Sequence, residues 1–452
     1  MLASVLLGKD WLQKNEDIEI TGIAYDSRNV LPGNVFVCIK GFETDGHKYA
    51  KMAEENGASL IVAEEKVDVN VPVCYVENSR IAIAEMACKY YDNPSKKFKL
   101  IGVTGTNQNI IGDKVLVTQS TTPTTPNALE LQQLFAEMAE SDAQCVVMEV
   151  SSHALELERV HGCHFDVGVF TNLTQDHLDF HKTMENYLNA KAKLFTISDK
   201  GVVNYDDEGG KQIVKNSKCD ILKVGMGTDC DLVAKNVKIS PAGTDFDVDY
   251  CNNTYHVYIP IPGMFSVYNA VCAMGAAIEL GFDMDTIIKG LKNATGVMGR
   301  VEVVPTDTDY TVIIDYAHTP DGLENIISTV KEFAKGRVIT LFGCGGDRDN
   351  TKRPIMGEIS GKLSDFTIIT SDNPRTEDPV SIINQIEIGM KRTDGEYKVI
   401  VDRREAIGYA LDNAKKDDVI ILAGKGQETY QIIGKEKFDF DERVVVYKHL
   451  NK

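Results

Sequence analysis

The sequence predicts an α/β protein of three domains, with the central and C-terminal ones built on doubly wound, mainly parallel sheets. Three observations predict it. The chain has 452 residues, enough for about three cores at roughly 150 residues each. Short apolar runs alternate with longer helix-like stretches, the pattern of a parallel sheet covered on both faces. Several of those runs end in turns rich in Gly, Asn, Asp or His, at the sheet edge where such folds bind ligands.

The elements follow in order. In a first domain, 1–97, the runs 35–39 (VFVCI) and 60–63 (LIVA) read as buried strands and 49–56 as a helix. Pro94 and Ser95, followed by Lys96, Lys97 and Lys99, make a polar break. A second domain, 98–298, opens with a strand at 100–104 that runs into Gly105, Thr106 and Asn107. Its next strands are 145–150 (CVVMEV) and 167–172 (VGVFTN), and 187–195 reads as a helix. The stretch near 230–260, rich in Asp, Asn and aromatic residues, reads as an antiparallel inset. A third domain, 299–452, has strands at 311–315, 338–342, 366–370 and 419–423, separated by helices such as 322–333.

Composition excludes several classes. With 43% hydrophobic and 25% charged residues, the chain is not disordered, collagen-like or a coiled coil. No apolar run approaches the ~20 residues of a membrane-spanning helix. Residues 1–7 are mildly apolar but lack a basic start, so no secretory leader and a cytoplasmic location are expected. A net charge of −19 argues against a nucleic-acid surface, which needs a basic patch. Phosphate can still be held by a few lysines and backbone amides. The ten cysteines contain no C-x-x-C pair, so reduced, mostly buried thiols are expected.

Several turns hold residues able to do chemistry. The turn Gly102-Val103-Thr104-Gly105-Thr106-Asn107 could offer amides to phosphate. A working phosphate loop also needs a Lys and a Ser or Thr, yet the chain continues Gln108-Asn109-Ile110-Ile111. Glu149 ends one strand and His177 follows the next, and the two could share Mg²⁺ or Mn²⁺. Helix capping is the alternative for either alone, and it weakens when both strands end in ligand-type residues. Asp176, Asp179 and His181 open a rival reading as a hydrolytic metal site. On the helix at 187–195 residue type alone does not separate Lys191 from Lys193. In the last third, four strand ends carry Asp315-Tyr316-Ala317-His318, Gly343-Cys344-Gly345-Gly346-Asp347-Arg348, Asp372-Asn373-Pro374-Arg375 and Gly424-Lys425-Gly426-Gln427-Glu428. Each alone is more simply a turn. Four at successive strand ends favour a pocket able to read an amino acid's ammonium and carboxylate.

These motifs, with Asp26-Ser27-Arg28 and Thr124-Thr125-Pro126, resemble those of the Mur ligases of bacterial cell-wall synthesis, in particular the UDP-N-acetylmuramoyl-tripeptide synthetases. The resemblance runs from about Tyr25 to Glu428. It implies a monomeric ATP-dependent ligase of peptidoglycan synthesis, with no nucleic-acid or membrane partner. ATP would phosphorylate the free carboxylate of UDP-N-acetylmuramoyl-L-alanyl-D-glutamate, and the amine of meso-diaminopimelate would displace phosphate. It further implies that Glu149, His177 and a carbamylated Lys191 serve the catalytic Mg²⁺ site. Ser27, Thr124, Thr125, Ser151 and Arg159 would hold the UDP-linked dipeptide. Arg348, Asp372, Asn373, Pro374, Arg375, Gly424 and Glu428 would bind meso-diaminopimelate. Gly105, Thr106, Asn107, Asn269, Arg300, Asp315 and His318 would serve the nucleotide.

The match breaks at the phosphate loop. The family reads Gly-Thr-Asn-Gly-Lys-Thr there, followed by a helix and a strand. A βαβ unit needs roughly 30 residues, and residues 108–123 are too few. The loop Lys, the Mg²⁺-binding Thr, a helix and a strand are therefore read as absent, which truncates the central ATP-binding unit. That removes the main electrostatic stabilisation of phosphoryl transfer, so weak or absent turnover is expected. Smaller departures are Ser266 for Asn, Gln427 for His, and Leu157 where a polar substrate contact is common. Two further readings stay open: an inactive relative that binds the UDP-linked substrate, and a metal-dependent hydrolase using Glu149, His177 and His181.

Overall fold

The computed structural model describes residues 1–8, 16–41, 44–104, 110–111, 114–115, 124–174 and 177–451. The chain divides into two compact units, 1–233 with 271–282, and 234–270 with 283–452. No helix among the described residues is long and apolar enough to cross a membrane.

The first unit holds two main sheets and a short antiparallel pair, Ile110–Ile111 with Lys114–Val115. The smaller main sheet has four parallel strands in the order Gly22–Ala24, Asn34–Val37, Leu60–Ala63 and Val73–Tyr75. Every residue of its two central strands is buried, because successive side chains enter opposite faces and both faces are covered. Val35, Val37, Leu60 and Val62 pack with Ile83 and Ala84 of the helix Ser79–Tyr90. Phe36, Ile61 and Ala63 pack with Ala50 and Ala53 of the helix Ala50–Glu55. That helix starts five residues after Asp45, through the 3-10 turn Gly46–Tyr49.

In the larger sheet Lys99–Val103 lies between Phe165–Phe170 and Cys145–Glu149. Ser198–Asn204, Asp220–Gly225 and the start of Leu232–Ser240 follow outward from Phe165–Phe170, all parallel. Among the described strands Cys145–Glu149 is the edge, with Cys145 and Val147 exposed. Its core joins Leu100, Phe135, Phe165, Phe170 and Leu194. The helix expected over 187–195 runs Met184–Ala192, capped by Thr183 and prolonged by a 3-10 turn.

In the second unit the expected antiparallel inset is a meander of Leu232–Ser240, Gly243–Tyr250 and Asn253–Ile259. Its first strand is the one whose opening residues, Leu232 and Val233, pair in parallel with Val224 and Gly225.

The second unit's main sheet runs Glu302–Val304, Thr311–Asp315, Val419–Ala423, Val338–Phe342, Phe366–Ile369, Tyr397–Val399. All pairings are parallel except the first. Helices Pro320–Lys331, Lys352–Leu363 and Pro379–Met390 cover one face, Arg403–Asp412 and Glu442–Leu450 the other. The strand order reverses around Val419–Ala423, so the carboxyl ends there border a crevice. All ten cysteines are free. Five are buried, three are half-buried, and Cys145 and Cys251 are exposed.

Candidate active site

The turns expected to carry chemistry gather in three places. The first is a cavity of about 580 Å³ in the first unit, with Tyr25, Ser27, Phe36, Tyr49, Arg80 and Arg159 on its walls. Ser27 sits in a 3-10 turn capped by Asp26, and its carbonyl accepts from Asn56 Nδ2 at 2.8 Å. Tyr25 donates to Glu130 and accepts from Asn127 Nδ2 at 3.1 Å. Burial, then the Glu130 carboxylate, push the Tyr25 phenol up to about 12, so it stays a donor. Leu157 lies on the same wall.

The second place is the carboxyl end of Cys145–Glu149. The Thr125 hydroxyl donates to the Glu149 carbonyl at 3.0 Å and accepts from Ser151 N at 3.0 Å. Arg159 Nη1 donates to the Thr125 carbonyl at 2.9 Å. Three of the five residues expected to hold a UDP-linked substrate are therefore tied into one knot. Ser27 and Arg159 share the cavity, and Thr124 is exposed.

Beside the knot lies an aromatic cluster. The His153 ring is 4.8 Å from His177 and 4.2 Å from Phe180, and the His181 ring stacks on Tyr187 at 5.0 Å. His177 has φ 54° and directly precedes the short helix Leu178–His181. Lys191 is buried. Its Nζ donates to the Asn172 carbonyl at 2.9 Å and stands 4.9 Å from the Tyr187 ring. His181, offered to a hydrolytic metal site, is buried with Nε2 2.8 Å from Ser152 Oγ. Among the described residues no three His, Cys, Asp or Glu side chains gather to hold a metal. Gly105, Thr106, Asn107 and Asp176 lie outside the described residues.

The third place is the crevice of the second unit. Asn373 is buried; its Nδ2 donates to Glu428 Oε2 at 2.9 Å. Its Oδ1 accepts from Ile432 N at 3.0 Å and Lys425 Nζ at 3.1 Å. Lys425 has no exposed surface and also reaches Glu428 Oε2 at 3.2 Å. Asp372 is buried beside it, and Gly424 has φ +113° with a built Cβ only 2.8 Å from Asp372 Oδ2. Gly424 therefore admits no side chain. Arg375, at φ 51°, donates to the Gly346 carbonyl at 2.8 Å. Pro374 is buried and Arg348 exposed. Lys425 and Gln431, which donates to the Asp372 carbonyl at 2.6 Å, were not singled out from sequence. A Lys between two glycines after a fully apolar strand was a usable signal; Gln431 offered none.

The expected nucleotide residues divide. Asp315 is buried and accepts from Val301 N and Ala317 N, both at 2.8 Å. Burial raises its carboxyl, against those two donors. Arg300 stands 5.4 Å from the Tyr316 ring, and His318 is 4.7 Å from it. Asn269 is exposed on the helix Met264–Glu279.

This geometry matches known proteins. Residues 19–94 match the Mur ligase family catalytic domain, 82–277 the Mur ligase middle domain, and 299–426 the Mur ligase glutamate ligase domain. The chain is 47% identical to UDP-N-acetylmuramoyl-L-alanyl-D-glutamate--2,6-diaminopimelate ligase of Caldanaerobacter subterraneus subsp. tengcongensis, over 98% of each chain. It is 45% identical to the Bacillus cereus protein of the same name, over 95% of this chain and 94% of that one. A solved structure of a ligase of that name superposes with TM-score 0.73 at 30% identity, covering 96% of this chain and 95% of the other. The fold also matches a MurF ligase from Thermotoga maritima solved with ADP, at TM-score 0.58 and 20% identity, covering 95% and 96%. Matched domains across all three sheets, and near-complete alignment at this identity, make the chain a member of the Mur ligase family.

Proposed function

We propose that this chain is the ligase that joins meso-2,6-diaminopimelate to UDP-N-acetylmuramoyl-L-alanyl-D-glutamate, using ATP, in peptidoglycan precursor synthesis. The observation that carries it is the crevice of Asp372, Asn373, Arg375, Lys425 and Glu428. It supplies anchored carboxylates for ammonium groups and a guanidinium for a carboxylate. The names of the relatives supply the substrate. Three domains at 1–97, 98–298 and 299–452, a monomer and a cytoplasmic location complete the proposal; ten free thiols suit a reducing compartment.

In the reaction the dipeptide carboxylate takes the γ-phosphoryl of ATP, leaving ADP. The free amine of diaminopimelate then attacks the acyl carbon, an amide forms and phosphate departs. Positioning and charge neutralisation carry such a transfer. The carboxylate of Glu149 and the imidazole of His177 are a donor set suited to Mg²⁺. When bound, the ion would neutralise charge on the phosphoryl oxygens. Lys191 would act as its carbamate. Thr125, Ser151 and Arg159 would hold the UDP-linked substrate, and Arg300, Asp315 and His318 the ATP. Arg348 would reach the second carboxylate of diaminopimelate.

A second reading is favoured by one observation: Gly105-Thr106-Asn107 is followed by Gln108, with no Lys-Thr. On that reading the chain binds its substrates without turning them over. Phosphate release with ATP, Mg²⁺, the UDP-dipeptide and meso-diaminopimelate separates the two. A version with a complete Gly-Lys-Thr loop, helix and strand is expected to release phosphate on either reading; on the second, this chain is at least a hundredfold slower. If both are equally active, other residues hold the ATP phosphates. If neither is active and diaminopimelate does not bind, the ligase proposal fails.

A further inference from the structure

The cavity of the first unit carries more positive charge than its own carboxylates answer. Arg28, Arg80 and Arg159 line it, with Asp26 and Glu158. Asp26 is taken up by Arg28, Nη2 to Oδ2 at 2.7 Å. Glu158 pairs with His161 at 3.2 Å. Arg80 and Arg159 have no ion pair among the described residues. Arg80 Nη2 donates to the Lys40 carbonyl at 2.7 Å, and Arg159 Nη1 to the Thr125 carbonyl. The Arg159 Nε is buried and has no hydrogen-bond partner among the described residues. Burial lowers the pKa of both groups, and Arg80 lowers that of Arg159 further. Two half-buried like charges on one cavity are unfavourable until an anion lies between them.

We propose that Arg80 works with Arg159 to grip the diphosphate of the nucleotide substrate, making Arg80 a specificity-determining residue of this site. The inference deepens the proposed function and rests on its UDP-linked substrate. Guanidinium forks match phosphate oxygens in a bidentate way. The same substrate has another anionic group, the carboxylates of its dipeptide. The reacting carboxylate must reach Glu149 and His177, and neither lines the cavity. Tyr25, Phe36 and Tyr49 give the cavity aromatic surface for a uracil ring, and the diphosphate is the anion joined most directly to uridine.

Calorimetry on the full chain tests this without needing turnover. The titrants are UDP-N-acetylmuramoyl-L-alanyl-D-glutamate, UDP, uridine, and N-acetylmuramoyl-L-alanyl-D-glutamate without the nucleotide. Arg80→Met is expected to weaken the whole substrate and UDP at least tenfold, leave uridine unchanged and flatten the salt dependence of UDP binding. Arg80→Lys is expected to fall between, which a residue that only braces Lys40 would not produce. Three results overturn the inference. The variant binds UDP as the wild type does, it loses uridine equally, or it loses only the nucleotide-free muramoyl dipeptide, which would assign the arginines to a carboxylate. A wild-type chain that binds neither UDP nor the whole substrate overturns the proposed function along with it.

Discussion

Arg353 has no exposed surface, yet its guanidinium is well supplied. It meets Glu377 through two bonds, at 2.8 and 2.9 Å, and also reaches Gln385 and the Gly345 carbonyl. Glu377 in turn accepts from Asp347 N at 2.6 Å, so the pair sets the turn that carries Arg348. The Arg353 bonds, then the Asp347 amide, hold the Glu377 carboxyl down at about 2. A depressed carboxylate stabilises the fold above its unfolded pKa and loses that contribution as pH falls through its folded one. The window therefore runs from the usual 4.5 down to about 2. Urea unfolding should show the wild type losing stability relative to Glu377→Gln across that window. Parallel curves for the two proteins would rule the linkage out. At this scale the sequence displayed the residues that end strands, because Asp372, Asn373 and Arg375 stand directly after an apolar run. It hid Arg80 and Arg353, whose roles depend on neighbours 40 and 24 positions away.

At the scale of elements, the helix Glu442–Leu450 is fastened to the sheet by one buried pair. Arg403 and Glu442 have no exposed side-chain surface, and the guanidinium joins Glu442 Oε1 at 2.8 Å and the Ala423 carbonyl at 2.8 Å. Burial raises the Glu442 carboxyl against the pull of Arg403. Removing one partner strands a buried charge, at a cost of about 3–5 kcal/mol, whereas replacing both with apolar residues can be nearly neutral. Arg403→Met should lower the unfolding free energy by that amount, and Arg403→Met with Glu442→Leu should recover most of it. If the double variant is as weak as the single one, the pair does more than satisfy charge. Close packing of helices Lys352–Leu363 and Pro379–Met390 is equally specific: a Cβ on Gly389 would sit 1.7 Å from the Pro354 carbonyl. Strands 60–63, 311–315, 338–342 and 419–423 were readable to the residue, because burial on both faces demands unbroken apolar runs. Helix starts were less so. The helix expected from 322 begins at Pro320, where Thr319 caps it and proline's fixed φ suits the first turn.

At the scale of the whole chain, each of the two compact units has its own core, and the proposed function gives each its own ligand. Unfolding should then proceed in at least two steps, and a ligand should move only the step of the unit that binds it. At a hundred times its dissociation constant a ligand adds about 2.7 kcal/mol. Calorimetric scans should show UDP raising one transition and meso-diaminopimelate the other. One transition shifted by both ligands would count against independent units. Fold class and repeated strand-end motifs were legible at this scale because they are periodic. Which turns would converge was not, since strand order, not chain order, brings Gly424 beside Asp372.

The exposed cysteines have a practical consequence. Cys145 belongs to the first unit and Cys251, at the tip between Gly243–Tyr250 and Asn253–Ile259, to the second. The natural chain thus carries one exposed thiol per unit, with five others buried and three half-buried. A fluorophore on either thiol therefore needs no engineered cysteine, and its signal reports on the unit that carries it as each substrate is added.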